Sequence, residues 1–303
     1  MNFLTRLFTK KNNKEMINNL RFLIHTHDKN LSLAELSLKH FFKHNKREDL
    51  KLTLVSNKFT TEDFKYKDRV SYFSSDVDLH CQGHHFKDSM ISALSQMTED
   101  YVFFLLDDYF FIDEIKYDDL NDVLNLMKCE EIDYFGFDDI GGILKLTDFE
   151  RLNSTCESNV KEELYLRHKD YQYLFSVQPC IWKRTSLIEL LSNQEKVSLH
   201  DLDETKSYIR EDGLKLKGTM SGLRSCFDYA FDFDLQKSPE NFYVIAYTEI
   251  VRHGCFNIPE NGKPVSPNDY SVRFTHKLIE DEDLGSQKGF KHLLPPSLYK
   301  LND

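Results

Sequence analysis

Residues 99–111 read Glu-Asp-Tyr-Val-Phe-Phe-Leu-Leu-Asp-Asp-Tyr-Phe-Phe. Tyr101–Leu106 is apolar at every position, whereas a strand with one wet face alternates apolar and polar residues. A strand of that composition is covered on both faces, as a central strand of a parallel sheet is. It stops at Asp107-Asp108, which sets two carboxylates at the rim of a hydrophobic sheet. Side chains of neighbouring strand residues point to opposite faces, so these two aspartates cannot do one job unless the chain turns there.

The flanking sequence supplies the rest of the sheet. Upstream, Arg21–His25 is a short apolar run followed by Thr-His-Asp-Lys-Asn, a strand and then a loop. Leu31, Ala34, Leu38, Phe41 and Phe42 share one face of a helix over 31–44. Leu52–Val55 and Val70–Phe73 read as strands that stop at Ser56-Asn57 and at Ser74-Ser75-Asp76. Phe86, Met90, Ile91, Leu94 and Met97 mark a second helix. Downstream, Tyr117, Leu120, Val123, Leu124 and Met127 line a third, and Ile132–Phe137 is a strand.

The succession β-α-β-β-α-β-α-β predicts an α/β fold, an open, mostly parallel sheet flanked by helices. Residues 141–175 are more polar, and a strand over Val177–Trp182 with a helix over 185–191 resumes the pattern. From Gly254 onward glycine, proline and charge increase, which predicts an irregular C-terminal segment. The expected division is an extension over 1–19, a main domain over 20–255 with halves at 20–140 and 141–255, and a tail over 256–303.

In open α/β sheets, ligands bind beyond the carboxyl ends of the strands. The polar residues fall at those ends: Thr26, His27 and Asp28, then Ser56 and Asn57, then Asp76, then Asp107 and Asp108. Hard carboxylate oxygens suit Mg²⁺ or Mn²⁺, which keep water and substrate phosphate as further ligands. Asp108 is assigned to the metal and Asp107 to a ligand hydroxyl; the competing reading is a solvated strand end or a turn cap. His84-His85, at a helix start, reads as a cap or surface pair rather than a metal site.

Composition narrows the partners. The chain has 303 residues, which suits one large α/β domain or a domain with a tail. Hydrophobic residues make up 40% and charged residues 29%, a globular composition. A net charge of −11 gives no long-range attraction for nucleic acid or anionic lipid, so nucleic acid is not an expected partner. Six cysteines at 81, 129, 156, 180, 226 and 255 include no CxxC pair. They read as scattered free thiols of a reducing compartment, here the cytoplasm. No segment approaches the ~18–20 apolar residues of a membrane span. The basic N-terminal stretch MNFLTRLFTKKNNK lacks a signal-peptide core; it is either a frayed terminus or a peripheral membrane or partner anchor.

The order of elements and the stretch EDYVFFLLDDYFF resemble the nucleotide-binding half of GT-A fold, Rossmann-like glycosyltransferases of the family-2-like group. In that family a DxD-type motif ends a central strand and holds a divalent cation against a nucleotide diphosphate. Residues 177–191, VQPCIWKRTSLIELL, resemble the strand-then-helix segment on the acceptor side. Residues 247–256, YTEIVRHGCF, resemble a segment that closes a basic residue over the diphosphate. The likeness extends over about residues 20–256.

The resemblance implies a metal-dependent, inverting transfer of a sugar from a nucleotide-diphosphate donor to a carbohydrate acceptor, with Mn²⁺ or Mg²⁺ as cofactor. It makes 20–140 the nucleotide-sugar half and 141–255 the acceptor half. Thr26, Asp28, Ser56, Asn57, Asp76 and Asp107 become donor contacts, and Asp108 with His253 the metal contacts. The tract SLHDLDET aligns Asp203 with the family's catalytic base and Asp201 with its neighbour on the acceptor, alongside Gln178 and Trp182.

The departures are Asp-Asp-Tyr in place of Asp-x-Asp, and Ser56-Asn57 where the family often has an Asp for the nucleotide base. A UDP-sugar is placed first among donors, with Asp76 able to take over that role. Bland readings stand beside these: Trp182 as core packing, His253 as a loop histidine, and Asp201, Asp203 and Glu204 as a solvated acidic turn. Three other functions compete. A nucleotidyltransferase commonly has a Gly-rich loop after the first strand, and His27-Asp28-Lys29-Asn30 has no glycine. A transferase on modified nucleic acid bases runs against the charge, and a non-catalytic sugar-nucleotide-binding module needs only the site.

Overall fold

The computed structural model describes residues 16–56, 64–74, 85–136, 150–151, 164–166, 179–192, 218–221, 247–249, 251–252, 255–256 and 270–294. The first half runs β1 (Leu20–His25), a 3₁₀ turn (Asp28–Asn30), α1 (Leu31–His44), β2 (Lys51–Ser56), β3 (Ser71–Ser74), α2 (His85–Ser95), β4 (Tyr101–Leu106), β5 (Tyr109–Phe111) and α3 (Tyr117–Cys129). Then come β6 (Tyr134–Gly136), β7 (Glu150–Arg151), β8 (Leu164–Leu166), β9 (Cys180–Lys183), α4 (Arg184–Ser192) and β10 (Gly218–Ser221). The rest is β11 (Tyr247–Glu249), β12 (Val251–Arg252), β13 (Cys255–Phe256), α5 (Tyr270–Asp281) and a 3₁₀ segment (Lys288–Leu293).

Nine strands form one mixed sheet in the order β3-β2-β1-β4-β9-β6-β10-β8-β7. β3, β2, β1 and β4 are parallel to one another, and β10 is parallel to β6. β9 runs antiparallel between β4 and β6, and β8 antiparallel between β10 and β7. The sheet is therefore mostly parallel in strand direction, as expected. The direction of β9 was not legible, because a buried apolar strand has the same composition whichever way it runs.

The unbroken apolar character of β4 has a direct cause. Tyr101, Phe103 and Leu105 pack with Phe22, Ile24, Leu38, Phe41, Leu120, Val123 and Leu124 on the α1/α3 face. Val102 and Phe104 pack with Leu23, Met90, Leu94, Trp182 and Leu190 on the α2/α4 face. Phe22 stacks on Phe103 at 5.0 Å and meets Phe41 edge-on at 5.2 Å. Each such fully buried side chain contributes about 1.5–3 kcal/mol relative to exposure, so the two-faced core dominates the stability of this half.

The end of the sheet remote from the strand carboxyl termini is closed by charge. Arg21 Nε and Nη2 donate to both oxygens of buried Glu99 at 2.8 and 3.0 Å, and Arg21 Nη1 donates to Thr53 Oγ1 at 3.0 Å. Lys51 Nζ adds a contact to Glu99 at 2.6 Å. The group ties the starts of β1 and β2 to the residue leading into β4. Burial opposes ionisation of Glu99, but the hydrogen bonds from Arg21 and Lys51 outweigh it and hold the carboxyl at about 2.

Three features depart from expectation. β5 follows the Asp-Asp pair and leaves the main sheet to pair antiparallel with β11. The C-terminal region is not wholly irregular: α5 and the 3₁₀ segment bury Leu278, Leu284, Phe290, Leu293 and Leu294 against Leu33, Leu36 and Phe110. Cys180 is a buried free thiol, but Cys129 is disulfide-bonded, which corrects the reading of all six cysteines as free thiols. Sequence spacing excludes only a local CxxC pair, and the fold can join distant cysteines. Among the described residues no helix is long and apolar enough to cross a membrane.

Because Glu99 titrates lower in the native state than its ordinary 4.5, it contributes stability that is present above that pH and lost as pH falls toward about 2. Glu99→Gln leaves Arg21 and Lys51 without their counter-charge and is expected to cost about 3 kcal/mol in urea unfolding at neutral pH. An unchanged unfolding midpoint would contradict this account of the sheet end.

Candidate functional site

The chain passes from β1 to β2 and β3 on one side, then crosses to place β4 on the other side of β1. That reversal is a topological switch point between β1 and β4, and beyond the carboxyl ends of strands at such a point an open α/β sheet ordinarily binds its ligand. The β1–β4 register ends on His25 opposite Leu106. The ladder continues one step further: Thr26 N–H donates to Val55 O at 2.8 Å and Asp107 N–H to His25 O at 3.2 Å. Thr26 and Asp107 thus stand side by side at the carboxyl ends of β1 and β4.

There the chain turns. Asp107 and Asp108 form the turn between β4 and β5, and their environments differ. Asp107 is buried at 8% exposure, and Asp108 is half-buried. Thr26 Oγ1 donates to Asp107 Oδ2 at 2.5 Å, and the Asn30 side chain hydrogen-bonds the same carboxyl group. Asn30 Oδ1 lies 3.0 Å from His292 Nε2, which belongs to the C-terminal 3₁₀ segment. On the far side of the turn, Ser37 Oγ donates to Tyr109 O at 3.2 Å, and Phe110 and Phe111 are buried. The turn is therefore anchored from α1, from the loop after β1 and from the C-terminal segment.

Electrostatics follow from burial. Desolvation pushes Asp107 up to about 7, against the hydrogen bonds from Thr26, Asn30 and its own backbone N–H. His25 is driven down to about 4 by burial and by nearby His27, and its ring lies 4.7 Å from that of Phe86. Burial also lowers His27, with Asp28 opposing. His27 Nδ1 accepts from Lys29 N–H at 3.1 Å and caps the 3₁₀ turn.

The structure brings together Thr26, Asp28, Asp107 and Asp108, but not in the roles expected for all of them. The Thr26 hydroxyl is committed to Asp107, so it supports the carboxylate instead of meeting a donor. Burial likewise takes Asp107 away from direct donor contact. Ser56 ends β2 beside this pair but is 1% exposed, which sets its hydroxyl inside the protein. Asp28 is half-exposed at the rim, 2.8 Å from His27.

Trp182 is 1% exposed in β9, with its ring 4.7 Å from Tyr134 and near Phe104 and Met90; it packs the core and does not line an acceptor surface. Asn57, Asp76, Gln178, Asp201, Asp203 and His253 lie outside the described residues. Asn30 and His292 are site residues that sequence reading missed. Asn30 sat in the loop already singled out, and nothing local marks His292.

Among the described residues no cluster of three or more His, Cys, Asp or Glu could enclose a metal. That does not disqualify Mg²⁺ or Mn²⁺, which take one or two protein carboxylates and complete their shell with water and phosphate. Half-buried Asp108 fits a shared cation of this kind; buried Asp107, held by two hydrogen bonds, fits the role of fixing the turn.

No family model matches the sequence, and no curated protein matches it. Among solved structures, the glycosyltransferase GlyE in Streptococcus pneumoniae TIGR4 is similar at 13% identity and a TM-score of 0.45, over 91% of this chain and 64% of that one. The mannosyltransferase PcManGT from Pyrobaculum calidifontis, in complex with GDP-Man and Mn²⁺, is similar at 11% identity and a TM-score of 0.34, over 57% of this chain and 46% of that one. A CMP:2-keto-3-deoxy-manno-octonic acid synthetase complexed with CTP is similar at 11% identity and a TM-score of 0.37, over 72% of this chain and 98% of that one. The chain spans less than two thirds of the length of both glycosyltransferases. Likenesses this distant assign no activity, which has to come from the residues of the site.

In metal-free protein the native state keeps the Asp107 proton up to about pH 7, whereas the unfolded chain releases it near 3.8. Native protein then binds more protons in between, so this group's contribution to stability is largest below 3.8 and declines as pH rises through about 7. Asp107→Asn removes the decline. Its melting temperature relative to the wild type is expected to rise steadily between about pH 4.5 and pH 8. A gap independent of pH would show that Asp107 is not a desolvated carboxyl.

Proposed function

We propose that the chain is a metal-dependent glycosyltransferase that takes a nucleotide-diphosphate sugar in the β1/β4 crevice and passes the sugar, with inversion, to a carbohydrate acceptor. The observation that carries this reading is the Asp107-Asp108 turn at the carboxyl end of β4, one carboxylate buried and fixed by Thr26, the other half-buried at the point where strand order reverses. A binding site that needed only packing would not leave a charged group and its supporting hydrogen bonds at that position.

In this reading Asp108 holds Mn²⁺ or Mg²⁺ against the diphosphate, with His253 and Arg252 adding a ligand or positive charge from the segment after β11. When bound, the cation neutralises the charge that builds on the leaving diphosphate. Asp107 does not touch the donor; it holds the turn so that Asp108 faces the crevice. Asp28, Asn57 and Asp76 are the remaining donor-side groups, for ribose, base or sugar hydroxyls, and a UDP-sugar is the first donor to try.

On the acceptor side, Gln178 and Asp201 orient the sugar and Asp203 takes the proton from its hydroxyl. The acceptor oxygen then attacks the anomeric carbon from the face opposite the diphosphate. The bond between that carbon and the diphosphate oxygen breaks, and the nucleoside diphosphate leaves with the electron pair.

The test is a melting-temperature panel of UDP- and GDP-sugars with and without Mn²⁺, on wild type and on Asp108→Ala. A donor present at about 100 times its Kd stabilises the native state by about 2.7 kcal/mol, a shift of several degrees. The shift is expected to need Mn²⁺ and to vanish in Asp108→Ala. Release of UDP or GDP from the stabilising donor identifies transfer. Release of pyrophosphate from a nucleoside triphosphate, with no response to any nucleotide sugar, would replace this reading with nucleotidyl transfer.

A further inference from the structure

Asn30 occupies the N-cap position of α1, where an Asn side chain ordinarily accepts from the backbone of the first helical turn. Here it makes no capping hydrogen bond. Asn30 continues the preceding 3₁₀ turn at φ −104° and ψ 12°, and its amide takes another task. The structure shows one: Asn30 hydrogen-bonds Asp107 at one end and faces His292 Nε2 at the other, at 3.0 Å through Oδ1.

An amide has two chemically distinct ends: with Oδ1 turned to His292, the end left to meet Asp107 is Nδ2, which donates. In its Nε2–H tautomer His292 donates to Oδ1, which selects that orientation and opposes the flipped one, where two N–H donors would face each other. The 3₁₀ segment that carries His292 is closely seated. A Cβ on Gly289 would come within 2.2 Å of Ser32 Oγ and 2.8 Å of Ser32 Cβ, in the first turn of α1. Phe290 and Leu293 are buried with Leu33 and with Phe110, two residues past Asp108.

We propose that His292 is a positioning residue of the β1/β4 site: its imidazole N–H orients the Asn30 amide toward Asp107, so that the Asp107-Asp108 turn is complete only when the C-terminal 3₁₀ segment is docked. The binding consequence rests on reading the crevice as a nucleotide-sugar site; the hydrogen-bond chain does not.

The experiment titrates UDP and GDP with Mn²⁺ into the full-length protein by calorimetry. His292→Ala is expected to weaken binding up to about tenfold, the size of one hydrogen bond lost from the chain that fixes the turn. His292→Gln, whose amide N–H can replace the imidazole donor, restores it. Asn30→Ala is as weak alone as with His292→Ala, since both remove one chain. Gly289→Ala lowers affinity as His292→Ala does, through displacement of the segment. Binding unchanged in His292→Ala, no rescue by Gln, or losses that multiply in the double variant would each overturn the proposal.

If wild type binds neither nucleotide, the transferase reading falls by itself. The chain is then read in metal-free ¹⁵N-labelled protein through the side-chain amide of Asn30. Its protons are expected to exchange about tenfold faster in His292→Ala than in wild type or His292→Gln. Equal rates would overturn the role of His292 independently.

Discussion

A carboxyl group at the end of a dry strand is stable only if its surroundings replace the water it has lost. Asp107 is in that position, at 8% exposure, with Thr26 and Asn30 as its hydrogen-bond partners. Much of the surrounding structure bears on this contact. Thr26 is placed by the parallel pairing of β1 with β2 and β4. Asn30 is placed by the 3₁₀ turn and the start of α1, at the expense of its own capping bond. Asp108, one residue further on, shares the turn that Asp107 fixes.

The two ends of the parallel strands answer different demands. At the remote end, Glu99 is neutralised by Arg21 and Lys51, and the closed set of charges holds register. At the carboxyl end the charges are not closed off in this way. Asp107 is held by neutral partners that cannot offset its desolvation, which raises its affinity for a proton. A carboxyl group kept under such conditions gives up stability as it ionises, a cost that buried groups at functional centres commonly carry.

The legible part of the sequence was the part governed by local pattern. The apolar run Tyr101–Leu106 is β4 residue for residue, and the stripe of Leu38 and Phe41 belongs to a helix spanning 31–44. The carboxylate pair at the end of β4 was also legible, but the role expected of Asp107, a contact to a donor hydroxyl, does not fit its burial. What was hidden depends on tertiary contact. Tyr109-Phe110-Phe111 is as apolar as the strand before it, so nothing local announced that β5 leaves the sheet. Trp182 could face an acceptor or the core, and only its position opposite Val102 in the β4–β9 register puts it inside. The contact between Asn30 and His292 joins residues 262 apart, beyond the reach of any spacing rule.

The central claim is that a nucleotide diphosphate and its cation meet at the Asp107-Asp108 turn. Paramagnetic broadening of backbone amide signals locates them directly. With Mn²⁺ and UDP or GDP added to ¹⁵N-labelled protein, broadening is predicted at residues 26–30 and 107–109. The amides of Arg21, Lys51 and Glu99, at the opposite end of the same strands, are predicted to stay sharp. Broadening centred away from the turn, or no broadening that depends on the nucleotide, would contradict the account.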